Sequence, residues 1–172
     1  MGITASQIRQ DLSRVGEFGL QGYGYNVKDL YSGIGEIIGV NRNYNAVIVG
    51  LTGIGLALAK HPVFDLRCVT LRALFDDALA GTEAADLTVM PMSDFERWCA
   101  ENKTDIAVLA VSREIAVETA GAAVRAGVSG IWNFTGEDIR SDRAKYDVAV
   151  VDINLHDCLM GLCCEIHNGG RQ

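Results

Sequence analysis

A short apolar run that ends in clustered glycines constrains this chain more than any other stretch. Ala46-Val-Ile-Val49 is apolar and rich in β-branched residues, Gly50, Gly53 and Gly55 follow, and Leu56 to Lys60 are good helix formers. Strand, tight turn and helix in that order make the βα unit of a nucleotide-binding fold, with turn N–H groups aimed at a phosphate. Counted from Gly50, the pattern Gly-x-Gly-x-x-Gly is met at Gly55, but Thr52 stands at the second glycine position. That second glycine normally lets a pyrophosphate approach the backbone. A Cβ at position 52 crowds the approach, while the threonine hydroxyl can replace one N–H contact and Gly53 lets the loop shift.

The segments downstream repeat the alternation. Val69 to Phe75 has strand character and finishes at Asp76, about 20 residues beyond the glycine turn, where a dinucleotide fold places the carboxylate that receives the adenosine ribose hydroxyls and repels the extra phosphate of NADP. The competing reading of Asp76, or of its neighbour Asp77, is a solvated acid at a strand end. Leu87 to Met90 is a further short strand, and Ser93-Asp-Phe-Glu96 has capping-box spacing ahead of a helix carrying Trp98 and Cys99. Asp105 to Val111 is almost continuously apolar, as a strand buried on both faces of a parallel sheet requires. Ser112 is placed to cap a helix over Glu114 to Ala126, and Val128 to Phe134 and Tyr146 to Asp152 supply the last two strands. The expectation is an α/β domain over residues 41–152, a doubly wound, mostly parallel Rossmann-like sheet whose ligand sits at the carboxyl ends of the strands, where Val111-Ser112 and Asn133-Phe134 fall.

The N-terminal segment has a different texture. Thr4-Ala-Ser-Gln7 has capping-box spacing, so a helix is expected from Ala5 to about Ser13, with Ile8, Leu12 and Val15 on its apolar face. Ser6, Gln7, Arg9, Gln10 and Ser13 share the other face and could reach phosphates or base edges in a DNA groove, or simply be solvated. Glycines at 16, 19, 22 and 24 alternate with apolar and aromatic residues as in a tight hairpin, and a helix followed by a small ribbon is how a winged helix-turn-helix ends. Val27 to Val40 carries Val27, Leu30, Ile34, Ile37 and Ile38 at helical spacing and connects to the main domain. After Ile153, Leu155, Leu159, Leu162 and Ile166 form a stripe along one helix face, which dimerisation would bury.

Composition excludes several classes. A chain of 172 residues with 49% hydrophobic residues supports one domain with a small appendage, and a formal charge of −7 opposes nucleic-acid binding by the bulk surface. Five cysteines make no paired framework and are expected as buried free thiols. With no signal peptide or membrane-length apolar run, a soluble cytoplasmic protein is expected. His61, His156 and His167 lie away from the strand ends, so no catalytic residue is assigned. The cluster His156, Cys158, Cys163, Cys164 and His167 fits no zinc spacing, so no metal is expected.

Ile3-Thr-Ala-Ser-Gln-Ile-Arg-Gln-Asp-Leu-Ser13, Gly16-Glu-Phe-Gly19 and Gly22-Tyr-Gly-Tyr-Asn-Val27 resemble the recognition helix and wing of the Rex redox-sensing transcriptional repressors. The resemblance continues through the glycine turn and Phe75-Asp76 to the tail. It implies a homodimer that binds NADH and NAD⁺ and couples their ratio to DNA binding. Gly50, Leu51, Thr52, Gly53, Ile54, Gly55, Asp76, Val111, Ser112, Asn133 and Phe134 would line the cofactor, with Asn133-Phe134 near the nicotinamide half. Residues 1–40 would be the remnant of a winged helix, because the family's upstream helices have no counterpart before Ile3, and operator DNA is expected only when such helices are present. Gln10 and Leu20-Gln21 stand where the family tends to be basic. Residues 153–172 would be a helix exchanged between the subunits of a dimer. Gly50-Leu-Thr-Gly53 also resembles the turn of the CoA-binding domain of succinyl-CoA synthetase-type ligases, so a regulatory domain for coenzyme A or another adenine nucleotide is the alternative. A subunit of an NAD-dependent enzyme is the third reading.

Overall fold

The computed structural model describes residues 7, 10, 19–20, 24–65, 68–139 and 148–169. The chain divides into two units, Met1–Asn43 and Tyr44–Gln172. Most of the expected recognition helix, including Ser6, Arg9 and Ser13, lies outside the described residues, while Gln7 and Gln10 are helical.

In the first unit, strands β1 (Gly19–Leu20) and β2 (Gly24–Tyr25) pair antiparallel, as the glycine–aromatic alternation predicts. Helix α1 (Val27–Ile37) starts at Asn26, whose side chain accepts from the N–H groups of Lys28 and Asp29. Its C-cap is Ile38, whose N–H donates to the Ile34 carbonyl, and beyond it Asn41 Nδ2 donates back to the Ser32 carbonyl at 2.9 Å.

The second unit is a seven-stranded sheet. Its strands are β3 (Tyr44–Val49), β4 (Val69–Phe75), β5 (Glu83–Ala84), β6 (Leu87–Met90), β7 (Ile106–Leu109), β8 (Gly130–Asn133) and β9 (Ala149–Asp152), in the spatial order β5-β6-β4-β3-β7-β8-β9. Every pairing is parallel except the edge hairpin β5–β6. Helices α2 (Ile54–Ala59), α3 (Phe95–Glu101), α4 (Arg113–Arg125) and α5 (Leu155–Gly169) complete it. Without the β5 edge, the order runs third, second, first, fourth, fifth, sixth, which is the doubly wound arrangement.

Side chains of β3 alternate between two cores, so helices can cover both sheet faces. Val47 and Val49 join Phe75, Phe95, Leu109 and the small residues of α4, whereas Ile48 joins Leu51, Leu74, Val89 and Val108. Phe75 anchors the first core, with its ring edge-on to Phe95 at 5.3 Å and to Trp98 at 5.9 Å. Burying both faces explains why the strands are nearly continuously apolar.

Four details depart from the sequence expectations. The Ser93–Glu96 capping box does not form: a 3₁₀ turn, Met92–Asp94, precedes α3, and the N-cap Asp94 makes no side-chain cap bond. Ser112 occupies the N-cap of α4 in extended geometry but likewise makes no cap bond. Its hydroxyl bonds the Glu114 carboxylate and is the main cause holding that carboxyl below its ordinary value. Of the five cysteines only Cys99 is buried, while Cys158, Cys163 and Cys164 are exposed along α5. The β5–β6 hairpin, which periodicity does not announce, turns through Ala85 and Asp86 at φ 50° and 59°, the positive pair that a two-residue type I′ turn demands.

Among the described residues, no helix is long and apolar enough to cross a membrane.

Candidate functional site

The sheet order reverses between β3 and β7, and in a doubly wound fold that reversal opens a crevice at the carboxyl ends of the strands. Four strand ends, those of β3, β4, β6 and β7, are laced together there. The Gly50 N–H donates to the Phe75 carbonyl at 2.8 Å, the Ala110 N–H to Val49 at 2.8 Å, and the Asp76 N–H to Met90 at 3.0 Å. A cavity of about 220 Å³ opens over them, with Gly50, Thr52, Asp76, Asp77, Val111 and Ser112 in its wall.

The glycines of the turn are demanded by space. Gly50 has φ +88°, and a Cβ on it would lie 2.6 Å from the Ala110 carbonyl oxygen and 2.8 Å from the Val111 nitrogen. A Cβ on Gly55 would collide with the Gly50 carbonyl oxygen. These are the two duties of the first and third glycines of the fingerprint, a tight turn and close helix–strand packing. Gly53 is the N-cap of α2, Ile54 opens that helix, and Thr52 is exposed in the cavity wall. Leu51 is fully buried, and its N–H donates to Asp76 Oδ2 at 2.7 Å.

Asp76 is only 7% exposed. Besides the Leu51 bond, its Oδ1 accepts from the N–H groups of Ala78 at 2.9 Å and Leu79 at 3.2 Å. Asp77 is exposed, and its Oδ1 accepts the Met92 N–H at 2.8 Å. That bond holds the 3₁₀ turn against the end of β4 and explains the displaced start of α3.

Asn133 and Phe134 lie at the end of β8, against other cavities. Asn133 is 1% exposed, and its amide is saturated: Nδ2 donates to the Glu137 carbonyl and to Asp152 Oδ1, both at 2.9 Å, while Oδ1 accepts from Thr135 N–H at 3.1 Å and Thr135 Oγ1 at 2.7 Å. It clamps the 135–137 loop to β9. The Phe134 ring stacks edge-on against Trp132 at 4.7 Å and borders a cavity of about 370 Å³ with Arg113, Thr135, Leu155 and His156. His156, on α5 rather than at a strand end, also lines this cavity. Arg113 is tied to this loop through Glu137 at 3.2 Å and the Gly136 carbonyl at 3.1 Å.

Sequence reasoning missed Met92 and Ile115, which also line the switch-point cavity. Ile115 stands one helical turn from Ser112, a spacing that could have found it. Met92 follows a proline beyond β6, and no local pattern marks it. The described residues contain no group of histidines, cysteines and carboxylates able to hold a metal ion.

Comparison with known proteins places this geometry in a family. Residues 41–136 match the family model described as CoA binding domain. A protein of Thermoanaerobacter sp. (strain X514) named redox-sensing transcriptional repressor Rex is 40% identical over 161 residues, 92% of this chain and 70% of that protein. The chain belongs to the Rex family of redox-sensing transcriptional repressors. Solved Rex-family structures agree with the fold. RSP in complex with β-NAD⁺ and operator DNA superposes with a TM-score of 0.87 at 38% identity, covering 99% of this chain and 78% of that one. RSP in complex with β-NADH superposes with a TM-score of 0.78 at 34% identity, covering 98% and 78%.

Proposed function

We propose that this Rex-family chain binds NADH and NAD⁺ in the switch-point cavity and converts their ratio into operator binding as a homodimer. The observation that carries the reading is the meeting of the Gly50 turn, the Asp76-Asp77 pair and Ser112 at the reversal of a doubly wound sheet. The 38% identity to a repressor solved with β-NAD⁺ and operator DNA supports it. In this reading the turn from Thr52 to Gly55 receives the pyrophosphate, and Leu51 shapes the turn from beneath. The Asp76-Asp77 segment stands at the adenosine ribose end of the cavity. The nicotinamide half runs past Val111 and Ser112 toward Phe134, and Asn133 holds the loop under it.

The two oxidation states must bind with different affinity, since a ligand moves a conformational equilibrium only by its differential affinity for the two states. The output elements are α5, whose apolar stripe crosses to a second copy, and the N-terminal helix, where Ser6, Gln7, Arg9, Gln10 and Ser13 meet phosphates or base edges. We assign the domains as a winged-helix segment over 1–40, the dinucleotide domain over 41–152 and a dimer helix over 153–172. The chain acts in the cytoplasm as a regulator and has no catalytic residue.

Coenzyme A is a second reading, favoured by the CoA-binding family model and by Thr52 in place of the second glycine. Calorimetric titration with NADH, NAD⁺ and coenzyme A separates the two. Saturable binding of both nicotinamide forms with unequal affinity is expected. Heat from coenzyme A alone at millimolar concentration moves the ligand assignment to the second reading. A band-shift series with operator DNA tests the output: NADH and NAD⁺ should change the shifted fraction to different extents, and no shift under either form removes the DNA role.

A further inference from the structure

Two consecutive carboxylates, Asp76 and Asp77, stand in the wall of one cavity, and their surroundings differ sharply. Asp76 is nearly buried and accepts three backbone N–H bonds, one from the glycine turn at Leu51 and two from Ala78 and Leu79 just after β4. It ties the loop beyond β4 to the turn beyond β3. Turning its carboxylate toward a ligand would leave the Leu51 N–H, on a fully buried residue, without its partner, and an unpaired buried donor is costly. Asp77 is exposed and uses one oxygen, Oδ1, to receive the Met92 N–H. Among the described residues no group donates to Asp77 Oδ2. Asp77 also borders a second cavity of about 420 Å³, shared with Met92 and Ile115, that runs between α3 and α4. A carboxylate oriented by one backbone bond, with the other oxygen exposed, is built to receive vicinal hydroxyls.

We propose that the pair divides its duties: Asp76 is the positioning residue of the glycine turn, and Asp77 reads the adenosine ribose and rejects a 2′-phosphate. The assignment rests on the dinucleotide reading above and moves the ribose contact one residue beyond the position that spacing alone selects. Chemically, Asp77 accepts hydrogen bonds from the ribose hydroxyls, and its negative charge repels a phosphate in the same place. Asp76 acts through the turn, so its loss should weaken every dinucleotide alike.

The test titrates NADH and NADPH into the full chain and into Asp77→Asn and Asp76→Asn, reading the ratio of the two affinities. The unaltered chain should favour NADH. In Asp77→Asn, NADH should weaken roughly tenfold, as loss of a charge-assisted hydrogen bond does, and the NADH preference should collapse. In Asp76→Asn both cofactors should weaken by a similar factor, with the preference kept. That ratio is a readout that general damage to the fold does not move. A preference that survives in Asp77→Asn, or vanishes in Asp76→Asn, overturns the division. If Asp76→Asn fails to fold, Asp77→Asn decides by itself. Failure of the unaltered chain to bind either cofactor removes the dinucleotide reading, and this assignment with it.

Discussion

The central sheet and helix α5 belong to the same unit and meet water in opposite ways. Ala46 to Val49 are fully buried on both faces of β3. On α5, Leu155, Leu159, Leu162 and Ile166 are 56–67% exposed, and the helix has no buried residue. The sheet satisfies its apolar groups within one chain, whereas α5 carries an apolar stripe that only another surface can cover. A sensor needs both kinds of region: a rigid site fixed by its own core, and an output element whose place depends on a neighbour.

The comparison breaks most readily at Phe75. Phe75→Ala should lower unfolding stability by about 4 kcal/mol, because it opens a cavity between Phe95 and Trp98. Denaturant melts will show it. Leu159→Ala, made at an exposed site, should change the stability of the isolated chain by less than about 0.5 kcal/mol. A large loss at Leu159 would mean that α5 is packed within its own chain.

The next effect is on assembly. In the proposed dimer, Leu159→Asp with Leu162→Asp should weaken association roughly a hundredfold, on the scale of two leucines removed from an apolar seam. Sedimentation equilibrium reads this, and the sheet should stay folded. An unchanged dimer would place the interface elsewhere.

The cysteines sharpen the contrast at lower cost to the molecule. Burial is the main cause pushing the Cys99 thiol up to about 11, so it remains protonated and unreactive at pH 8. Cys158, Cys163 and Cys164 are exposed and should react quickly with a maleimide, and, under the proposed dimerisation, more slowly as protein concentration rises. Mass spectrometry of partly labelled protein gives the order.

Much of this arrangement is legible in the sequence because it is local. The continuous apolar run of β3, the glycine turn and the stripe on α5 each follow from patterns within a few residues. The Asn133 clamp is not local, since it joins Asp152, 19 residues away, and no pattern announces such a pairing. The β5–β6 hairpin hides because Ala85 and Asp86 take positive φ where asparagine and glycine are the usual signal. Asp76 shows the limit most clearly. Spacing locates a carboxylate near the ribose, but which of two adjacent carboxylates is engaged by backbone N–H groups depends on how the loops fold back.

The smallest expected effect lies at the surface pair of Glu96 and Arg125, 2.7 Å apart. The Arg125 hydrogen bond, foremost among the causes, lowers the Glu96 pKa from its ordinary 4.5. A folded pKa below the unfolded one adds stability above 4.5 that is lost as the pH falls through the lowered value. Melting temperatures of the unaltered chain and Glu96→Gln should therefore differ slightly at pH 7 and converge in acid. Screening by solvent keeps the gap small.

The claim that the switch-point cavity is the sensing site is tested most directly by backbone amide NMR of the full chain during addition of NADH. The account predicts saturable shifts concentrated at 50–55, 76–78 and 111–115, with NAD⁺ moving the same amides at a different midpoint. Shifts confined to other surfaces, or none at millimolar NADH, would contradict it.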